Sequence, residues 1–531
     1  MSGTIWSILP PIIAIALVLI TRKVLLSLGV GIILGALLTH SFAPVDSFLT
    51  VWNSFKVTFW DDGFNAYNVF IILFLLLLGV ITAFVSLSGG SRAFAEWAVK
   101  RIQTRRGARL LTAVLGIVIF IDDYFNALAV GQIARPITDH HKISRAKLAY
   151  FIDSTSAPVC VVSPVSSWGA YLIGLIGTIL ATQTAITLSP LSAFVLMAPM
   201  NFYVIAALAI VFFVAVTDFD LLEMKKHEMR AVATGEVYDP EKDIPGQLKE
   251  EFPVHRHGKV RDLILPIVTL VVVTIGMMMW TGSQNALAGN VDVTLWSIFE
   301  NTDVPKSLLI GGIAGSVMSM LLYAIQIPRH DHAETKFVAK GIWSGVQSMI
   351  PAVLILLFAW SLTFIIADLG TGEYLAAFVE KANIPVGLIP VLLFVLAGGM
   401  AFATGTSWGS FGILLPIAGT IMINSEPELL LPALAAVLAG SVFGDHCSPI
   451  SDTTILSSTG AGCNHIDHVA TQLPYALISA AIAGAGYLIL GLTGSIWLGL
   501  VGVIVILVIL FFIWGTQGKN NVQAVKEEQN A

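Results

Sequence analysis

Runs of about twenty residues without one charged side chain recur along this chain, at 69–88, 194–216 and 496–514. Backbone placed in hydrocarbon must satisfy its own hydrogen bonds, so runs of this kind fold as helices. About twenty helical residues cross a hydrocarbon layer about 30 Å thick. The remainder agrees: 56% of the 531 residues are hydrophobic and 12% charged, where soluble domains carry about 25% charge. The expected fold class is an all-α polytopic membrane protein. About 11 full spans are expected, at 5–20, 24–43, 69–88, 147–181, 193–217, 263–281, 307–327, 345–369, 430–460, 472–491 and 495–515.

Charge then sorts the connections. Of the 28 Lys and Arg, 25 fall on one alternating set of connections, and only Lys56, Lys306 and Lys381 on the other. The basic side is expected to be cytoplasmic, which gives an N-out, C-in orientation. The apolar stretch 110–134 has basic sequence at both ends, so it should enter and leave on one side as a re-entrant hairpin. The stretch 386–423 lacks basic flanks apart from Lys381 and should do the same from the opposite side. Its middle, ATGTSWG at 403–409, is polar and glycine-rich and is tolerated at membrane depth only where it lines a cavity or is buried in protein.

Two hairpins entering from opposite sides predict inverted repeats: three spans, a re-entrant hairpin and two spans, twice, plus one C-terminal helix. PVCVVSPVSSWGA at 158–170 aligns without gaps on PISDTTILSSTGA at 449–461, with five of thirteen positions identical. The expected units are 1–217 with hairpin 110–134, a cytoplasmic linker at 218–262, 263–515 with hairpin 386–423 and the extra helix, and a disordered tail at 516–531. Paired, interrupted segments of this kind point to a transporter's central site.

Five aspartates, Asp122, Asp123, Asp153, Asp445 and Asp452, lie inside the apolar stretches. A carboxylate at that depth costs about 2.5–3.5 kcal/mol or more unless compensated. No basic side chain in those runs offers compensation, so a bound cation, a proton or cavity water must. Asp445, His446, Ser448, Ser451, Asp452 and Thr453 form the densest polar run in any span, and hard cations take such oxygen donors. Asp153 and Thr155 repeat the pattern with one carboxylate, though Asp153 could also reach water near Lys147. Asp122, Asp123 and Asn126 are expected at the first hairpin tip, where adjacent carboxylates repel and one can exchange protons. Thr404, Thr406 and Ser407 offer neutral oxygens or substrate contacts at the second. His446 is expected to relay protons or to bond Asp445, whereas His465 and His468 read as solvated loop residues. The cysteines Cys160, Cys447 and Cys463 lack metal or redox spacing and read as core.

The run GDHCSPISDTTILSSTGA at 444–461 closely resembles the signature of the NhaC-type Na+/H+ antiporter family, within the ion transporter superfamily. FIDDYFN at 120–126 and FIDSTSAP at 151–158 are similar to the same family. The resemblance implies Na+/H+ antiport in a bacterial inner membrane, a homodimer and elevator-type movement. It also leaves an alternative open, because some members move amino acids or small organic acids with Na+ or H+. Sodium is expected at Asp445, Asp452 and Asp123. No cofactor is expected besides Na+ and H+ as transported ions, and the expected partners are membrane lipid and these ions, with a small organic solute in the alternative. No nucleic-acid partner is expected. An enzyme is not, since no hydrolase-type nucleophile elbow accompanies the Asp, His and Ser of 445–451.

Overall fold

A computed structural model of the chain describes its backbone except at residues 1–2, 22, 121–122, 165, 182–187, 243, 245–257, 328–335, 372–373, 375–384 and 531. Among the described residues it is helical throughout, with one isolated antiparallel bridge, Trp60 to Phe64. Nine helices among these residues are long and apolar enough to cross a membrane. Eight fall on expected spans, and the ninth, Val386–Thr404, is the first leg of the second hairpin.

The other three expected spans are built from shorter helices. The stretch 5–20 becomes a turn of 3-10 helix followed by Leu9–Thr21, and 24–43 becomes Val24–Thr39. The stretch 147–181 breaks into Arg145–Cys160 and Ser167–Ala181. A further helix, Pro44–Phe59, lies between the expected spans 24–43 and 69–88. Its Phe48, Leu49 and Trp52 are exposed, as on a helix lying in a membrane interface. The tail expected to be disordered continues the last helix to Asn530. Its Gln, Ala, Lys and Glu are good helix formers, and the helix needs only to be propagated from Trp514, not nucleated.

Eleven helices position the site. The first hairpin is α1 (Arg105–Val118) and α2 (Asp123–His140), and it is followed by α3 (Arg145–Cys160) and α4 (Ser167–Ala181). Helix α5 (Phe202–Thr217) leads to α6 (Leu222–Thr234) in the linker. The second hairpin is α7 (Ile389–Thr404) and α8 (Ser407–Ser425). After it come α9 (Leu430–Cys447), α10 (Asp452–Ala461) and α11 (His465–Thr493).

Helix α10 is the centre of the molecule. All ten of its residues are buried, and it packs on α2, α3 and α11. Its approach to α2 is set by a glycine pair: a methyl group added at Gly131 or at Gly460 would overlap the facing backbone, the Gly460 carbonyl in one case and the Ala127 carbonyl in the other. The second hairpin lies along α9 through α7. Its turn is made at Gly405, whose φ of +72° is open to glycine at little cost.

The two interrupted segments do not break in register. Pro158 is inside α3, which ends only at Cys160, whereas Pro449 lies in the 448–451 break. The gapless alignment therefore matches a helical proline to a non-helical one. The resemblance is of composition and of a helix–break–helix plan, not of equivalent positions.

Candidate functional site

The break between α9 and α10 gathers oxygen atoms because its chain leaves helical geometry in a buried place. Asp445 is 1% exposed. Its Oδ2 accepts from Ser407 Oγ at 2.9 Å, and its Oδ1 accepts from Ser451 Oγ. Ser451 caps α10, accepting from the Thr454 N–H, and lies 2.9 Å from Thr453 Oγ1. Asp452 opens α10, where helix N–H groups favour negative charge. It accepts from the Thr453 N–H at 2.8 Å and from the Tyr124 hydroxyl of the first hairpin. Ser448 Oγ donates to the Phe402 carbonyl at 2.8 Å, tying the break to the second hairpin. Both hairpins thus end on the same break, one at each carboxylate. Among the described residues neither Asp445 nor Asp452 has a Lys or Arg partner.

The hairpin tips face each other through aromatic rings. Asp123 Oδ1 accepts from the Trp168 indole N–H at 2.9 Å. Trp168 packs edge-on to Trp408 at 5.6 Å and to Phe411 at 5.5 Å, and Tyr171 lies 4.9 Å from Trp408. Thr406 caps α8 through the Trp408 N–H, and Thr404 bonds the Met400 and Thr406 carbonyls. Asn126 donates to the Gly116 and Ile119 carbonyls, both at 2.6 Å, closing the end of α1. Asp122 lies outside the described residues.

Asp153 is fully buried, so it does not reach water near Lys147. Its Oδ1 accepts from Ser457 Oγ at 3.1 Å; its Oδ2 accepts from Gln472 Nε2 and lies 3.3 Å from His468 Nε2. Thr155 donates to the Phe151 and Ile152 carbonyls of its own helix. His446 does not bond Asp445: its Nδ1 is 3.0 Å from the Tyr203 hydroxyl. His465 and His468, expected in a solvated loop, are both buried. His465 Nε2 lies 2.7 Å from the Pro449 carbonyl. The reason is that Asn464 caps α11, which starts the helix at once and turns both imidazoles inward.

A second acidic cluster, Asp218, Asp220 and Glu228, has different chemistry. Lys147, 0% exposed, lies 3.0, 2.8 and 3.1 Å from these three carboxylates, with Arg105 and Arg109 alongside. Its charges are already matched within the protein. Sequence reading missed Tyr124, Trp168, Ser457, His468 and Gln472. Tyr124 and Trp168 stand inside motifs it had singled out; Gln472 carries no local signal.

Helices long and apolar enough to cross a bilayer, enclosing at one helix break two carboxylates without a Lys or Arg partner among the described residues, fit a polytopic secondary transporter. The sequence model of the Na+/H+ antiporter family matches residues 159–492, and the chain belongs to that family. It is 49% identical to an uncharacterized protein of Haemophilus influenzae over 96% of this chain and 95% of that one. It is 34% identical to an uncharacterized Na+/H+ antiporter of the same organism and 31% identical to a malate-2H+/Na+-lactate antiporter of Bacillus subtilis. Those two similarities cover 29% of this chain and 33% of each relative.

Proposed function

We propose that the protein exchanges Na+ for H+ by alternating access, with Asp445 and Asp452 holding either the sodium ion or protons. One observation carries this reading: two carboxylates, buried on one helix break, are met only by hydroxyls and a backbone N–H among the described residues. Hydroxyl hydrogen bonds do not cancel a full charge, so a cation from outside the chain is needed. Ser451, Thr453 and Ser407 can turn lone pairs toward such an ion, with Asp123 nearby on the first tip. Because one pair of carboxylates cannot hold sodium and protons together, each ion displaces the other. The two hairpins are the parts expected to move. The reading places the protein in a bacterial inner membrane, N-terminus outside and linker inside, as a dimer.

Reconstituted in liposomes with an internal pH dye, the protein should acidify or alkalinise the lumen when sodium is added on one side. Asp452→Asn should remove the signal. An unchanged signal in that variant would take Asp452 out of the mechanism.

A second reading has its own support. The exposed Tyr171 and half-buried Trp408 rings, packed on the buried Trp168 that bonds Asp123, offer apolar contact that a bare cation does not use. They suit a small organic acid or amino acid moved with Na+ or H+, and one relative is named as an exchanger of malate and lactate. Sodium-dependent uptake of a labelled hydroxy acid, with no proton movement in its absence, would favour this reading.

A further inference from the structure

Asp153 and His468 are fully buried and lie 3.3 Å apart, and Ser457 and Gln472 complete the first ring of contacts. Beside them, three buried polar atoms have no partner among the described residues: His468 Nδ1, His446 Nε2 and Gln472 Oε1. Leaving buried polar atoms unbonded is costly, and here all three lie on the side chains that surround one carboxylate. The cluster differs from the buried Lys147 site, where fixed cations match every carboxylate. Among the described residues the groups beside Asp153 able to match its charge are imidazoles, His468 in contact and His446 near it, and each does so only with a proton on both nitrogens.

We propose that Asp153 and His468 form a second proton-binding site, separate from Asp445 and Asp452, that empties when sodium binds. The inference rests on the sodium reading for its order of loading, not for its existence. Helix α10 is the connection. It carries Asp452 at its start and Ser457 five residues on, about 7.5 Å along the axis at 1.5 Å per residue. Gln472 adds a second link, donating both to Asp153 and to the His446 carbonyl next to Asp445, at 2.9 Å in the latter case. A cation that draws the 448–451 break inward shifts Ser457 and Gln472 together, and with them the setting of the Asp153–His468 pair.

The titratable neighbours are few. Helix α3 contributes Asp153, α9 contributes Asp445, His446 and Cys447, and α11 itself contributes His465, which holds the Pro449 carbonyl. Helix α10 has no titratable group besides Asp452. On the linker side, Lys242 is held by Asp467 at 2.6 Å, with His227 on α6 near it, and α5 offers the Tyr203 hydroxyl to His446.

The test is proton uptake by purified protein in weakly buffered detergent, followed with a pH dye between pH 8 and pH 5, first without sodium. His468→Gln should take up about one proton fewer per chain than wild type. Asp153→Asn should show the same deficit, and it serves alone if His468→Gln does not purify as a folded protein. Uptake equal to wild type in the folded variant overturns the site. Sodium is then added. Wild type should release protons, and His468→Gln about one fewer per chain. A one-proton deficit in the first step with no sodium-triggered release in wild type upholds the site and overturns the sodium reading. Equal release from both proteins overturns the coupling through α10.

Discussion

Lys147 and Asp445 are both buried polar side chains, yet their surroundings give them opposite duties. Lys147 sits among Asp218, Asp220 and Glu228, so its charge is spent on holding α3 to the linker. Removing one member of such a buried set leaves the others uncompensated, at about 3–5 kcal/mol. Lys147→Ala should therefore lower the melting temperature in detergent clearly, while the folded fraction still moves protons on sodium addition; a wild-type melt would show the network to be passive. Asp445 and Asp452 have only hydroxyl and N–H donors, so their substitution should act the other way round. Tyr124→Phe and Ser407→Ala each delete one donor to a buried carboxylate, worth about 1.5–3 kcal/mol for a bond to a charged group. Each should weaken the apparent sodium affinity about 10–100-fold with a much smaller change in melting temperature. Variants that melt early but bind sodium normally would make these two bonds structural.

Helix α10 shows how much of an element can be read before its surroundings are known. Its polar content, Asp452, Thr453, Thr454, Ser457, Ser458 and Thr459, marked it as functional, because that many hydroxyls in an apolar span need a purpose. The hairpin turns were legible too, since glycine and an aspartate pair interrupt otherwise apolar runs where the helices end, after Val118 and after Thr404. What each hydroxyl bonds was not legible. Tyr124 reaches Asp452 and Gln472 reaches Asp153 across more than three hundred residues, and no local pattern encodes a partner that distant. The break positions failed for a related reason: proline marks a lost hydrogen bond, but neighbouring helices decide whether the chain leaves the helix there. The packing of α10 on α2 gives an element-scale test. Gly460→Val would force the two backbones apart, with overpacking of about 1–3 kcal/mol or more, and should abolish the sodium response. Gly399→Ala on the second hairpin, where an added methyl group meets nothing within 4 Å, should leave it intact. A responsive Gly460→Val protein would mean that this contact does not hold the site together.

At the scale of the whole molecule, the charges that stabilise the linker also report its side. Arg105, Arg109, Lys147 and Lys242 are ion-paired with 218–242 or with Asp467 next to it, so the basic residues that crowd this set of connections are in part consumed within the protein. Orientation is governed by positive charge near span ends during insertion, with acidic residues contributing little. Pairing in the finished fold therefore does not weaken the expectation that the linker faces the cytoplasm. The chain is suited to a direct measurement, because Cys160, Cys447 and Cys463 are all buried and give little background to a thiol reagent. Ala233, at the exposed end of α6, and Asp292, in the exposed connection after Arg261–Ala288, lie on opposite sides if that helix crosses once. A membrane-impermeant maleimide applied to intact cells should label Asp292→Cys and spare Ala233→Cys, and inside-out vesicles should reverse the pattern. Labelling of both positions from one side would mean that Arg261–Ala288 does not span. The reversed pattern in intact cells would put the linker outside, and with it the Lys242–Asp467 ion pair.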